Sequence, residues 1–201
     1  MHGRHPYGLS QQYVGIEASN KWLKISDLFA ETEGFLTAIQ DRVMVTRKYK
    51  KYILRQPDTD ALCRRCGKES ETIQHITVAC EQLAPTEYAK RHDGLAKIIH
   101  QKLAEAAELI KDKSPYYTYT PASVLENENF KLYWSRSVLK DKTNFNQPDI
   151  TFMNKVTKNT FLLDIAVPNT HNFATTITDE QNKYQELANE ICSMWKQRQH
   201  K

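Results

Sequence analysis

Residues 149–167 read Asp-Ile-Thr-Phe-Met-Asn-Lys-Val-Thr-Lys-Asn-Thr-Phe-Leu-Leu-Asp-Ile-Ala-Val. Two β-like runs, Asp149–Met153 and Thr160–Val167, flank the polar stretch 154–159, and that pattern predicts a hairpin. Pro148 precedes the first run and Pro168 ends the second. The segment Phe161–Val167 is apolar except for Asp164 in its middle. Burying an unpaired carboxylate is costly, so Asp164 must be paired, bound to a metal or directed into a cleft. Asp149 opens the preceding run, and in a twisted hairpin the two acids can lie beside each other. Carboxylates so placed repel unless a divalent cation lies between them, and ligation by oxygen alone suits Mg2+ or Mn2+. Spacing leaves a second reading open, with Asp149 in a turn and Asp164 on the solvent face of an edge strand.

Working outward, Phe130–Leu139 carries Leu132, Tyr133 and Trp134 and reads as a further strand. Upstream, Tyr88, Leu95, Ile98, Ile99, Leu103, Ala106 and Ile110 mark one face of a long helix. It is expected to start at Pro85-Thr86 and end near Lys113. The run 114–121, with Tyr116, Tyr117 and Tyr119, reads as a loop bounded by Pro115 and Pro121. A final helix is predicted to open at Thr178, with Gln181 completing a capping box. Its apolar face is Tyr184, Leu187, Ile191 and Trp195. Helices around strands make this an α+β chain over residues 83–201.

Cys63, Cys66, His75 and Cys80 fall within eighteen residues, in the order Cys-x2-Cys-x8-His-x4-Cys. A tight Cys-x-x-Cys turn presents two sulfurs to one ion, and the returning segment supplies the other two donors. Such a closed four-donor set is a structural Zn2+ site, with no open position for catalysis. Pairing as disulfides would leave an odd thiol. Cys192 lies apart, in the final helix, and reads as a buried structural thiol. The N-terminal run Met1–Pro6 has neither an apolar core nor a small-residue cleavage site, so it is not expected to be a signal peptide. The cysteine usage points to an intracellular protein.

The chain has 201 residues, 40% hydrophobic and 26% charged, and a net charge of +4. That length holds one ordinary domain with an attachment, and no apolar run approaches the roughly 18 residues of a membrane span. Residues 1–60 read as a helical arm and linker, 61–82 as the zinc segment and 83–201 as the main domain. Between Asp27 and Leu54 the spacing of Phe35, Ile39 and Val43 is broadly helical, with Ser26 or Thr32 as the cap. Over residues 42–55 stand Arg42, Arg47, Lys48, Lys50, Lys51 and Arg55, with no acid and with Tyr49 and Tyr52 interleaved. Cations neutralise phosphates and tyrosines stack on unpaired bases, although a solvated helix face has the same composition. With Arg64, Arg65 and Lys68, residues 42–68 carry a local charge of +7, against −3 for the rest.

Three runs, Asn146-Gln147-Pro148-Asp149-Ile150, Leu163-Asp164-Ile165-Ala166-Val167-Pro168 and Lys183-Tyr184-Gln185-Glu186-Leu187, together resemble the restriction-like endonuclease of non-LTR retrotransposons. That enzyme is a PD-(D/E)xK nuclease relative at the C-terminus of the reverse transcriptase polyprotein. Trp22-Leu23, Glu31–Phe35 and Ala38–Asp41 resemble the region between its polymerase and zinc knuckle. Cys63–Cys80 is similar to its CCHC knuckle, and Arg91-His92-Asp93 to the Arg-His-Asn/Asp element on its first endonuclease helix. The likeness runs from about Trp22 to Trp195. It implies a helical arm, a knuckle and a restriction-endonuclease-like mixed sheet flanked by helices.

The resemblance makes Asp149 and Asp164 the acids for Mg2+ or Mn2+. The usual lysine two positions after the second acid is absent, since Ala166 stands there. In this lineage the following helix supplies it, which implies Lys183, with Tyr184 beside it. Arg91 and His92 would contact phosphate or brace their helix. The implied function is nicking of target DNA so that its 3′-hydroxyl primes reverse transcription. The implied partners are target DNA, element RNA and a polymerase region in cis or in trans, in the nucleus. No Tyr/Phe-x-Asp-Asp polymerase motif is present. The competing expectation is an inactive nucleic-acid-binding remnant.

Overall fold

A computed structural model describes residues 4–12, 14–111, 114–135, 147–167 and 173–194. Trp195, Pro168, Asn146, Lys113 and the segment 136–139, all used in the sequence reading, lie outside the described residues. Two compact units emerge, Met1–Ala89 with Pro168–Ala174, and Lys90–Val167 with Thr175–Lys201. No described helix is long and apolar enough to cross a membrane.

The first unit holds short helices α1 (Arg4–Leu9), α2 (Ile16–Asn20), α3 (Trp22–Ile25), α4 (Ala30–Gln40) and α5 (Arg47–Tyr52). The expected helix over 27–54 is therefore two, because the chain turns at Arg42, which adopts φ 61°. There Val43 N–H returns to Ala38 O at 2.9 Å and Arg42 N–H to Ile39 O at 3.1 Å, a closure that satisfies the last carbonyls of α4. Neither Ser26 nor Thr32 caps α4; Phe29 holds that position without a side-chain bond. Thr46 does cap α5, accepting Tyr49 N–H at 3.2 Å. Only Arg47, Lys48, Lys50 and Lys51 of the basic run are helical.

The second unit is built on a four-stranded sheet in the order β1 (Val124–Glu126), β2 (Phe130–Trp134), β3 (Ile150–Asn154) and β4 (Asn159–Leu163). Every pairing is antiparallel, so the described sheet is a meander rather than the mixed sheet expected. The hairpin is present, with Ile150 opposite Leu163. β4 nevertheless stops at Leu163, and Asp164 lies just beyond the strand instead of in its middle.

Helix α6 (Ala89–Ala106) ends well before Lys113. Glu108 turns left-handed at φ 55° and Leu109 N–H returns to Ala104 O at 2.9 Å. The turn lets Leu109 and Ile110 join Ala104, Leu132, Ile150, Leu163 and Ile165 in one core. Helix α7 (Phe173–Met194) begins before Thr178, which is therefore interior and not a cap. Its Leu187 and Ile191 pack on Leu162. Because neighbouring strand residues face opposite ways, Leu162 and Leu163 put α7 and α6 on opposite faces of the sheet.

Candidate functional sites

In the first unit the donor atoms of Cys63, Cys66, His75 and Cys80 all lie within 4.8 Å of one another. Cys63 Sγ is 4.0 Å from Cys80 Sγ and Cys66 Sγ 3.3 Å from His75 Nε2. A tetrahedral zinc with bonds of about 2.3 Å to sulfur places its sulfurs about 3.8 Å apart, so the set fits that ion and could hold it. The fit is local in origin. Gly67, at φ +67°, closes the Cys-x-x-Cys turn by returning its N–H to Cys63 O at 2.7 Å, in a region that side chains other than glycine's rarely occupy. Backbone N–H groups of Glu69 and Lys68 bond Cys66 and bring its thiol down to about 6.

Two residues to which the sequence reading gave no part in it hold this cluster. Glu71, 1% exposed at its side chain, takes Arg64 Nη2 at 2.6 Å, Arg64 Nε at 2.8 Å, and the N–H groups of Arg64 and Arg47 at 3.0 and 2.9 Å. The Arg64 guanidinium holds its carboxyl at about 2. Arg64, read as a nucleic-acid contact, is also the ion-pair partner of Glu71, with its side chain still 58% exposed. Tyr88, read as part of a helix face, accepts Cys80 N–H at 2.8 Å and lies 3.0 Å from the carbonyls of His75 and Ile76. Lys68 pairs with Glu81 at 2.5 Å. Arg55 stands in the turn after α5 at φ 53°, and Arg65 follows Arg64 with its N–H on Cys63 Sγ at 3.4 Å.

In the second unit the β3–β4 register sets Asp149 and Asp164 one step past the Ile150–Leu163 pair. Asp149 Oδ2 accepts Ile165 N–H at 2.7 Å and faces His92 Nε2 at 3.1 Å. Asp93 lies 3.1 Å from the other ring nitrogen. Burial opposes a charge on His92, but these two acids outweigh it and raise its pKa. Asp164 accepts from Tyr184 Oη at 2.9 Å and Lys183 Nζ at 3.3 Å, and Lys183 also reaches Glu180 at 3.0 Å.

Burial disfavours ionisation of Asp164, yet hydrogen bonds with Glu180, Tyr184 and Lys183 hold its pKa below the usual range. Glu180 is pushed up, first by burial and then by the hydrogen bond it shares with Asp164. Burial, helped by Asp164, pushes the Tyr184 phenol up to about 12. Lys183 is raised despite burial, because Glu180, Tyr184 and Asp164 favour its charge.

Glu180 is the member that sequence reasoning missed. Its one available signal was the three-residue spacing to Lys183, which puts both on one helix face. His92, read as contacting phosphate or bracing its helix, faces Asp149 at 3.1 Å. Among the described residues, the only set of three or more His, Cys, Asp or Glu side chains close enough for one metal is the Cys3His group. Asp149 Oδ1 is not used by the bonds above. The oxygen donors of Asp149, Asp164 and Glu180 are of the right class for Mg2+ or Mn2+.

Compared with protein-family models, curated proteins and solved structures, the chain matches none.

Proposed function

We propose that the second unit is a metal-dependent endonuclease that nicks DNA, of the restriction-like type seen in non-LTR retrotransposons. The first unit, with a CCHC knuckle and basic segment, would hold the nucleic acid. The observation that carries the reading is the set Asp149, Asp164, Glu180, Lys183 and Tyr184 gathered around one end of the β3–β4 hairpin. A carboxylate pair can hold a metal ion and a lysine held charged can offset phosphate charge, the two contributions that metal-assisted phosphodiester hydrolysis draws on. Asp149 and Asp164 would hold Mg2+ or Mn2+, an ion that activates water and offsets phosphate charge. Lys183 would stabilise negative charge on the phosphate, while Tyr184 and His92 orient the two acids. Zinc would be structural. Acting on target DNA places the protein in the nucleus, with a polymerase region and element RNA as partners.

The test is nicking of supercoiled plasmid by the zinc-loaded protein with Mg2+. Asp164→Ala is expected to lose at least about a hundredfold in rate, with zinc content and fold retained. Nicking that survives this change overturns the assignment. A second reading, a non-catalytic nucleic-acid-binding remnant, draws on Ala166 at the usual lysine position and on the Lys183–Asp164 pair, which neutralises an acid. Folded, zinc-loaded protein that never cuts with Mg2+ or Mn2+ decides for it.

A further inference from the structure

The first unit contains a cleft of about 410 Å³ whose lining includes Arg4, Arg42, Lys48, Tyr49, Tyr52 and Gln74. That volume lies within the roughly 300–1,000 Å³ of small-ligand sites. Its walls come from three separate stretches: α1, the turn-and-helix segment around α5, and residues 72–74, which lead directly into His75. On α5, Lys48 and Tyr52 are four residues apart and Tyr49 and Tyr52 three, so the ammonium and both rings share one helix face.

The charges there are unbalanced. Asp41 is the only carboxylate in the lining, and it accepts the His5 backbone N–H at 3.0 Å. Burial first, and then the nearby Arg4, lower the pKa of Arg42, as expected where a partly buried cation faces a second one. Arg42 is also held in place. Its backbone is left-handed at φ 61°, and its Nε and Nη1 donate to the Gln74 side-chain oxygen once that amide is turned to face its donors. Non-glycine residues in that backbone region concentrate at functional sites. Tyr52, meanwhile, is 61% exposed.

We propose that this cleft receives one unpaired nucleoside monophosphate unit, its phosphate held by Arg4, Arg42 and Lys48 and its base laid on Tyr52. Guanidinium groups match the oxygens of a phosphate, and a tyrosine face accepts any base. A duplex keeps its bases stacked inside and offers only phosphates, so the ring selects a single strand or an end. The inference deepens the nucleic-acid reading of the first unit and does not depend on nuclease activity in the second.

The experiment uses the full zinc-loaded chain and a DNA strand of about a dozen nucleotides with one central fluorescent adenine analogue whose emission falls on stacking. Wild type is expected to bind and quench it. Tyr52→Leu should bind about tenfold more weakly and lose the quench, and its zinc content and circular dichroism should be unchanged. Arg4→Gln should weaken binding and lower the salt slope by about one unit. Lys51→Gln, outside the cleft, should lower the slope but keep the quench. Deoxyadenosine monophosphate separates the two sources of the unit. Displacement at concentrations comparable with the strand identifies the free nucleotide, and displacement only at far higher ones identifies the strand. Wild-type affinity and quench in both Tyr52→Leu and Arg4→Gln would overturn the pocket alone. A wild type that binds no strand overturns the pocket together with the nucleic-acid reading.

Discussion

The four zinc-type donors come from the eighteen residues Cys63–Cys80. The acid site instead draws on α6, the β3–β4 hairpin and α7, through bonds spanning 57 residues for His92–Asp149 and 20 for Tyr184–Asp164. A local set needs only a turn and a metal to form, and the metal then supplies the stability that so short a segment lacks. A set assembled across the fold exists only when the sheet and both helices are packed, and its stability is that of the apolar core. The two regions should therefore fail under different insults.

Removing metal is the harshest way to test that difference. Zinc contributes about 10–16 kcal/mol of apparent free energy to small sites of this kind. A strong chelator should thus abolish amide-exchange protection over residues 62–80 while leaving protection in β2, β3 and β4 intact. Loss of sheet protection in the same step would mean that the regions unfold as one, and the contrast would fail.

Glu71 offers a sharper cut inside the first region. Glu71→Ala leaves the Arg64 guanidinium and the backbone N–H groups of Arg64 and Arg47 without their acceptor, and each buried donor left unsatisfied costs about 1–3 kcal/mol. Zinc should then transfer to a competing chelator at much lower chelator concentration, with the second region unchanged in hydrogen exchange. Zinc retention equal to wild type would show that the ligands alone sustain the knuckle.

The same contrast explains what could be read from the chain before its structure. Cys63, Cys66, His75 and Cys80 were legible because their spacing is itself the site. The hairpin was legible from alternating composition around a polar turn, and its register set Asp149 and Asp164 together as expected. The end of β4 was not legible, because the apolar run continues smoothly to Val167. What stops the strand is that Ile165 gives its N–H to Asp149 Oδ2 rather than to a ladder partner. The capping pattern at Thr178 and Gln181 misled for a related reason, since a polar pair at that spacing also fits inside a helix. Glu180 and the seat of His92 depend on contacts across the fold, which no local pattern encodes. The mixed sheet came from the resemblance, and the four described strands pair antiparallel.

His100 gives the second region its own acid weakness. It is fully buried on α6, with Nδ1 2.8 Å from the Tyr119 hydroxyl and its ring edge-on to Trp134. Nε2 has no partner among the described residues. Burial brings its pKa down to about 4, below the ordinary value near 6.5. The unfolded chain then binds the proton that the folded chain refuses, so stability is full above pH about 6.5 and falls as pH drops toward 4. Linkage gives a loss of about 2 kcal/mol by pH 5 relative to neutral pH, and about 3 kcal/mol below pH 4. His92, raised by Asp93 and Asp149, acts with the opposite sign in a higher window, so a total slope would blur the two. His100→Leu separates them, because it removes one imidazole and leaves the other. Exchange of the Phe130–Trp134 amides should slow less between pH 5 and 7, after correction for intrinsic rates, in this variant than in wild type. An identical pH dependence in both proteins would assign the acid weakness to the carboxylates at the hairpin end, and the site itself, rather than the core beneath it, would be the part that acid breaks first.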